Sequence, residues 1–183
     1  TMDNEGGYSN DPTDAGQETY CGISRRFNPK WVGWAIIDAA KDDANFPKCL
    51  DSNKVLSTMV KNFYKTTYWD VFAGDEIPSQ IIANELFDTG INMGIGRAVT
   101  FLQSALNLLN KNGKLYPDIS EDGRFGNSTL NTLKICLSLG EEELIYKIMN
   151  ISQGRHYIEY SKKDPRQEIY MRGWCSRVNF VKK

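Results

Sequence analysis

The sequence is short of the groups that build most metal and redox centres. Its single histidine, His156, excludes paired imidazole ligands and makes a Ser-His-Asp or Cys-His hydrolase a strained reading, since a lone histidine is more often a surface or half-buried residue than a catalyst. Four cysteines, Cys21, Cys49, Cys136 and Cys175, lie far apart with no C-x-x-C pair, which argues against a zinc knuckle or a thioredoxin-type dithiol. They read as reduced, partly buried thiols, with one or two bridges as the alternative. No metal and no cofactor are therefore expected. Apolar runs never approach the roughly 18 residues that span a bilayer, and the polar N-terminus lacks the charged start and apolar centre of a signal peptide. Charge of one sign is missing too. Twenty-two Lys and Arg against 23 Asp and Glu leave −1, no field to gather nucleic acid or an anionic membrane. Neither nucleic-acid binding nor membrane insertion is expected.

What is present is globular. Forty per cent hydrophobic and 25% charged residues, with six prolines and 15 glycines in 183, fit a chain folding around a real core. Charge is uneven along it: residues 1–24 hold five acids and no Lys or Arg, whereas residues 154–183 hold eight bases against three acids. Carboxylate chemistry belongs at the front.

Residues 1–27 are rich in Gly, Asp, Asn, Ser and Thr and read as loop with a candidate short hairpin. Helical spacing begins after Asn28-Pro29 and continues through Trp31, Trp34, Ala35, Asp38 and Ala39. From Ser52 to Tyr68, Val55 with Leu56, Met59 with Val60 and Phe63 with Tyr64 recur every four residues as one apolar stripe. Pro78-Ser79 opens a further helix, and Gly90, Gly94 and Gly96 mark a joint before Ala98, Leu102 and Leu106 resume the period. Asn112-Gly113 and Asp122-Gly123 are turns. More helices are predicted over Ser128–Leu139 and Glu141–Tyr157, with one or two short ones, interrupted at Gly173, over Asp164–Phe180. Strand-type alternation is nearly absent, so the architecture is mostly α.

Within the acidic front, Glu5-Gly6-Gly7-Tyr8 is followed by Asp14 and Thr19. Two carboxyls and a hydroxyl thus come from one short segment, and the paired glycines let a bulky ligand approach the main chain. Together with Asp11-Pro12, Asp14-Ala15-Gly16-Gln17-Glu18-Thr19 and Gly22-Ile23, this run resembles the signature of glycoside hydrolase family 108, N-acetylmuramidases of bacteria and phages that include secretion activator proteins. Ala15 stands where the family usually has glycine, and only four residues precede Glu5. Further along, Asn92-x-Gly94, Leu102-Gln103, Asp122-Gly123-x-x-Gly126, Arg155, Tyr157 and Gly173-Trp174-x-x-Arg177 resemble the peptidoglycan-binding module that accompanies the family.

The resemblance implies a lysozyme-like helical fold with an irregular N-terminal catalytic loop. It divides the chain into a catalytic segment, 1–88, and a peptidoglycan-binding-like segment, 89–183, expected to pack as one globular unit. Glycoside hydrolysis needs one protonated carboxyl and one ionised group, so Glu5 is expected as the acid, Asp14 as its carboxylate partner and Thr19 as the residue that positions water. Flat aromatic faces and amide donors suit sugars, which singles out Tyr8, Tyr68, Trp69 and Asn92 for substrate binding. The implied partner is peptidoglycan glycan strands, and the implied activity is hydrolysis of the β-1,4 bond after N-acetylmuramic acid. A peptidoglycan-binding or secretion-assisting module with little hydrolysis is the competing reading. The expected setting is synthesis in the cytoplasm and action at the cell wall after export or lysis.

Overall fold

The computed structural model describes residues 7–10 and 17–179. The chain divides into two compact units, Thr1–Thr67 and Tyr68–Lys183. Helix dominates both, as expected, and the strands form one small sheet.

In the first unit, β1 (Tyr8–Asn10), β2 (Glu18–Tyr20) and β3 (Ile23–Ser24) pair antiparallel in sequence order. Tyr8 faces Tyr20 and Ser9 faces Thr19 across β1 and β2; Thr19 faces Ser24 and Tyr20 faces Ile23 across β2 and β3. Cys21 and Gly22 close that second pair as a two-residue turn, both with positive φ (45° and 76°). This is the backbone that matches the twist of a tight hairpin. A sheet this small needs packing, and it gets it from α1 (Gly33–Ala40) and α2 (Lys54–Tyr64). Tyr20 and Ile23 are buried with Trp34, Ile37, Leu50, Leu56, Val60 and Tyr64. Tyr64 Oη donates to the Cys21 carbonyl at 2.7 Å.

Two details of the first unit depart from the sequence reading. Helix α1 starts at Gly33, after Asn28-Pro29, because Asn28 serves another purpose: its side chain donates to the Ser24 carbonyl and its own carbonyl accepts the Trp34 indole N–H at 2.8 Å. In α2 the buried stripe is Leu56, Val60 and Tyr64, while Val55 is exposed. The helix is capped by Asn53, whose side chain accepts from Leu56 N at 3.0 Å.

The second unit opens with short helical turns. It continues as α3 (Gln80–Met93), α4 (Ile95–Leu109), α5 (Asn127–Ser138), α6 (Glu142–Lys163), a 3-10 stretch Pro165–Tyr170, and α7 (Met171–Cys175). Ser79 caps α3, its Oγ accepting from Ile82 N and donating to Glu142. Gly94, at φ 89°, is the actual joint between α3 and α4. Gly90 and Gly96 lie inside helices instead, as does Gly173 in α7. A Cβ at Gly90 would come within 2.7 Å of the Phe72 ring, so the missing side chain there makes room for an aromatic rather than a bend. Helix α6 runs on to Lys163, past its expected end, because Tyr157 and Ser161 continue its buried stripe at i, i+4.

The core of this unit joins Phe72, Ile82, Leu86, Leu102, Leu106, Leu133, Ile145 and Met149. The expected boundary at 88/89 and the boundary by packing at 67/68 differ because Ile82, Ala83 and Leu86 of α3 are buried in this core. Gln103, 1% exposed, ties the loop before α5 to α4: the two hydrogens of its Nε2 are shared among Asp122 Oδ1, the Arg124 carbonyl and Thr129 Oγ1, and its Oε1 accepts from Gly123 N at 2.9 Å. No described helix is long and apolar enough to cross a membrane.

Candidate active site

Thr19 is the middle residue of the central strand, half-buried, with Ser9 and Ser24 beside it on the flanking strands. Glu5 and Asp14 lie outside the described residues. The structure therefore shows what holds Thr19.

Its neighbour Glu18 is the hub of a charged network. Glu18 accepts the Tyr8 hydroxyl at 2.9 Å and forms ion pairs with Arg25 Nε and Lys41 Nζ, both at 2.8 Å. Arg25 also grips Asp38 of α1 with both terminal nitrogens, at 3.1 and 2.7 Å, and Lys41 reaches the same carboxylate at 2.9 Å. The Arg25 guanidinium lies 4.5 Å from the Trp34 ring centroid, a cation–π contact. Bonds from Arg25 and then Lys41 hold the Asp38 carboxyl down at about 2. The bond to Asp38 raises the pKa of Arg25, and bonds to Glu18 and then Asp38 raise that of Lys41. Burial, then the bond to Glu18, raises the Tyr8 phenol. One strand, one hairpin and one helix end are thereby locked through a single carboxylate. A cavity of about 310 Å³ opens at this network, lined by Asn10, Gln17, Glu18, Arg25 and Arg26. Its amide, carboxylate and guanidinium groups suit a hydroxylated ligand.

Tyr8 and Thr19 are thus brought onto adjacent strands of one sheet. The Tyr8 ring meets the edge of Phe46, with centroids 4.7 Å apart. Tyr68 and Trp69 belong to the second unit, where both pack against its core and against Phe87, at 6.3 and 5.9 Å. The Trp69 indole N–H is engaged by Asp75 at 2.8 Å, and its ring lies on Gly74, where a Cβ would come within 2.3 Å. Asn92 is exposed near the end of α3; its amide donates back to the Asp88 carbonyl at 2.8 Å, and it lines a separate cavity.

Sequence reasoning passed over Glu18, Arg25, Asp38 and Lys41, whose partners are remote in sequence. It also passed over Glu85 of α3, a buried carboxyl that receives Thr89 Oγ1 at 3.2 Å and whose pKa burial raises to about 7. A signal for Glu85 existed: it follows Ile82 by three residues and precedes Leu86 directly, on the helix face that the apolar period assigns to the core.

Residues 1–94 match the family model described as glycosyl hydrolase 108. Residues 97–179 match the one described as a predicted peptidoglycan domain. Among solved structures, Brucella abortus SagA is similar in fold, with a TM-score of 0.60 and 22% identity over 97% of this chain and 84% of that one. No curated protein matches the chain.

Proposed function

Since the chain belongs to the glycosyl hydrolase 108 family, and carries a peptidoglycan domain behind that match, we propose that it is an N-acetylmuramidase acting on the bacterial cell wall. The match that carries this reading spans the residues holding Glu5, Asp14 and Thr19. Glu5 donates its proton to the leaving glycosidic oxygen. Asp14 steadies the oxocarbenium-like centre or activates the water that replaces the leaving group. Thr19 orients that water by its hydroxyl. Glu18 stands directly beside Thr19, but two cations and the Tyr8 hydroxyl already engage it, which leaves proton transfer to the other two carboxyls. Asn10, Gln17 and Arg26 supply donors for sugar hydroxyls along the cavity at that sheet.

A zymogram containing purified peptidoglycan tests the activity. The wild type clears the gel, and Glu5→Gln, which keeps the shape but removes the transferable proton, loses about 10² to 10⁴ in rate. A variant retaining more than about a tenth of the wild-type rate removes Glu5 from the acid role. A wild type that binds wall but clears nothing replaces the muramidase reading with a binding module.

A further inference from the structure

The end of α3, the start of α4, α6 and α7 enclose a second cavity of about 400 Å³, lined by Asn92, Arg97, His156, Tyr157, Tyr160 and Trp174, among others. Its size falls in the range of small-ligand sites. Two kinds of group meet there. The first is aromatic: Tyr157 and Trp174 stack at 4.9 Å and 11°, and His156 stacks on Tyr160 at 6.0 Å and 15°, leaving Tyr160 44% exposed. The second is cationic. Arg97 is exposed and donates to the Met93 carbonyl at 3.0 Å, and it forms no ion pair with any described residue.

Two acids next to its lining residues are already paired, Asp88, which Asn92 contacts, with Arg177 at 3.1 Å and Glu159, which acts on His156, with Arg155 at 2.7 Å. No carboxyl lines the cavity, so the two-carboxylate chemistry of glycoside hydrolysis has no footing in it. One guanidinium without an ion pair beside flat rings fits an uncharged sugar ring that carries a carboxylate-bearing stem better than a polyanion, which needs a track of cations. Burial, then Arg97, lowers the His156 pKa, so near neutral pH the imidazole offers one donor and one acceptor rather than a second cation.

We propose that this cleft holds a muramoyl peptide of the wall without cleaving it, with the sugar face against Tyr160 and Arg97 on a carboxylate of the peptide stem. The proposal rests on the reading of the chain as peptidoglycan-acting, but not on its being a hydrolase.

Calorimetric titration of the full chain with the soluble disaccharide tetrapeptide of peptidoglycan, against chitobiose, tests it. The muropeptide binds more tightly than chitobiose; Arg97→Met loses about tenfold in affinity for it, as a charge-assisted contact predicts; Arg97→Lys recovers part, and Tyr160→Ala loses severalfold. On the wild type, the largest NMR shifts fall on the Trp174 indole N–H and Arg97. Equal affinity for both ligands, wild-type binding by Arg97→Met and Tyr160→Ala, or shifts confined to residues 7–67 overturns it. Wall clearing, read separately, distinguishes the two readings: binding here without clearing refutes the muramidase alone, and clearing with unaffected Arg97 and Tyr160 variants refutes this site alone.

Discussion

Replacing Glu85 by Gln should change how stability depends on pH, and the size of the change follows from where the carboxyl sits. Glu85 is 8% exposed, and burial lifts its pKa from 4.5 to about 7, against opposing hydrogen bonds from Asn150 and Thr89. Below pH 4.5 folded and unfolded chains both keep the proton. Between 4.5 and about 7 the unfolded chain releases it while the folded chain holds it, so stability falls as pH rises; above about 7 both are ionised and the loss is complete. At roughly 1.4 kcal/mol for each pH unit, the rise from 4.5 to about 7 sets the whole loss at about 3 kcal/mol. Gln keeps the shape and hydrogen-bonding reach but cannot ionise. Glu85→Gln should therefore match the wild type to within about 1 kcal/mol at pH 5 and exceed it by about 2 to 3 kcal/mol at pH 8. Urea unfolding followed by circular dichroism from pH 5 to 8 measures the difference. His156 works in the opposite direction, since burial lowers its pKa and its contribution is lost as pH falls, but it is common to both proteins and cancels. Parallel stability curves over this range would refute the reasoning.

Two further outcomes follow from the packing. Gln103→Leu fills similar volume but strands the Gly123 N–H that Gln103 Oε1 accepts and removes both donors of its amide, so it should cost about 2 to 4 kcal/mol, read as a lowered midpoint in thermal unfolding; a loss below about 0.5 kcal/mol would show that water takes over those bonds. Arg25→Met should free the Asp38 carboxyl from its hold at about 2, so that its NMR titration moves toward the ordinary value near 3.9, and an unmoved titration would assign the depression to Lys41 alone.

Much of the helical framework was legible because its signals are local. Ser79 caps α3 through its own hydroxyl, and in the two turns Asn112, Gly113 and Gly123 adopt the positive φ that Asn and Gly accept most readily. The glycines of the α3–α4 region were harder. Gly94 and Gly96 look alike in sequence, yet only Gly94 has a positive φ, while Gly96 lies where the Gly123 backbone comes close. That approach depends on a loop 27 positions later, and no periodicity encodes it. The same holds for the candidate site. Thr19 and Tyr8 could be named from a motif, but the Glu18–Arg25–Asp38–Lys41 lock joins a strand, a hairpin and a helix end whose juxtaposition exists only after folding.

The hydrogen bond from Tyr64 to the Cys21 carbonyl makes the last turn of α2 a fastener for the turn that follows Thr19. A three-stranded sheet with strands of two and three residues has no independent rigidity, so the geometry around Thr19 depends on a phenol far along the chain. A screen for inactive variants would therefore return changes at Tyr64 alongside changes at the chemical groups, and loss of activity alone would not tell the two apart. Temperature would: a loosened fastener leaves activity that recovers on cooling, whereas a missing proton donor does not.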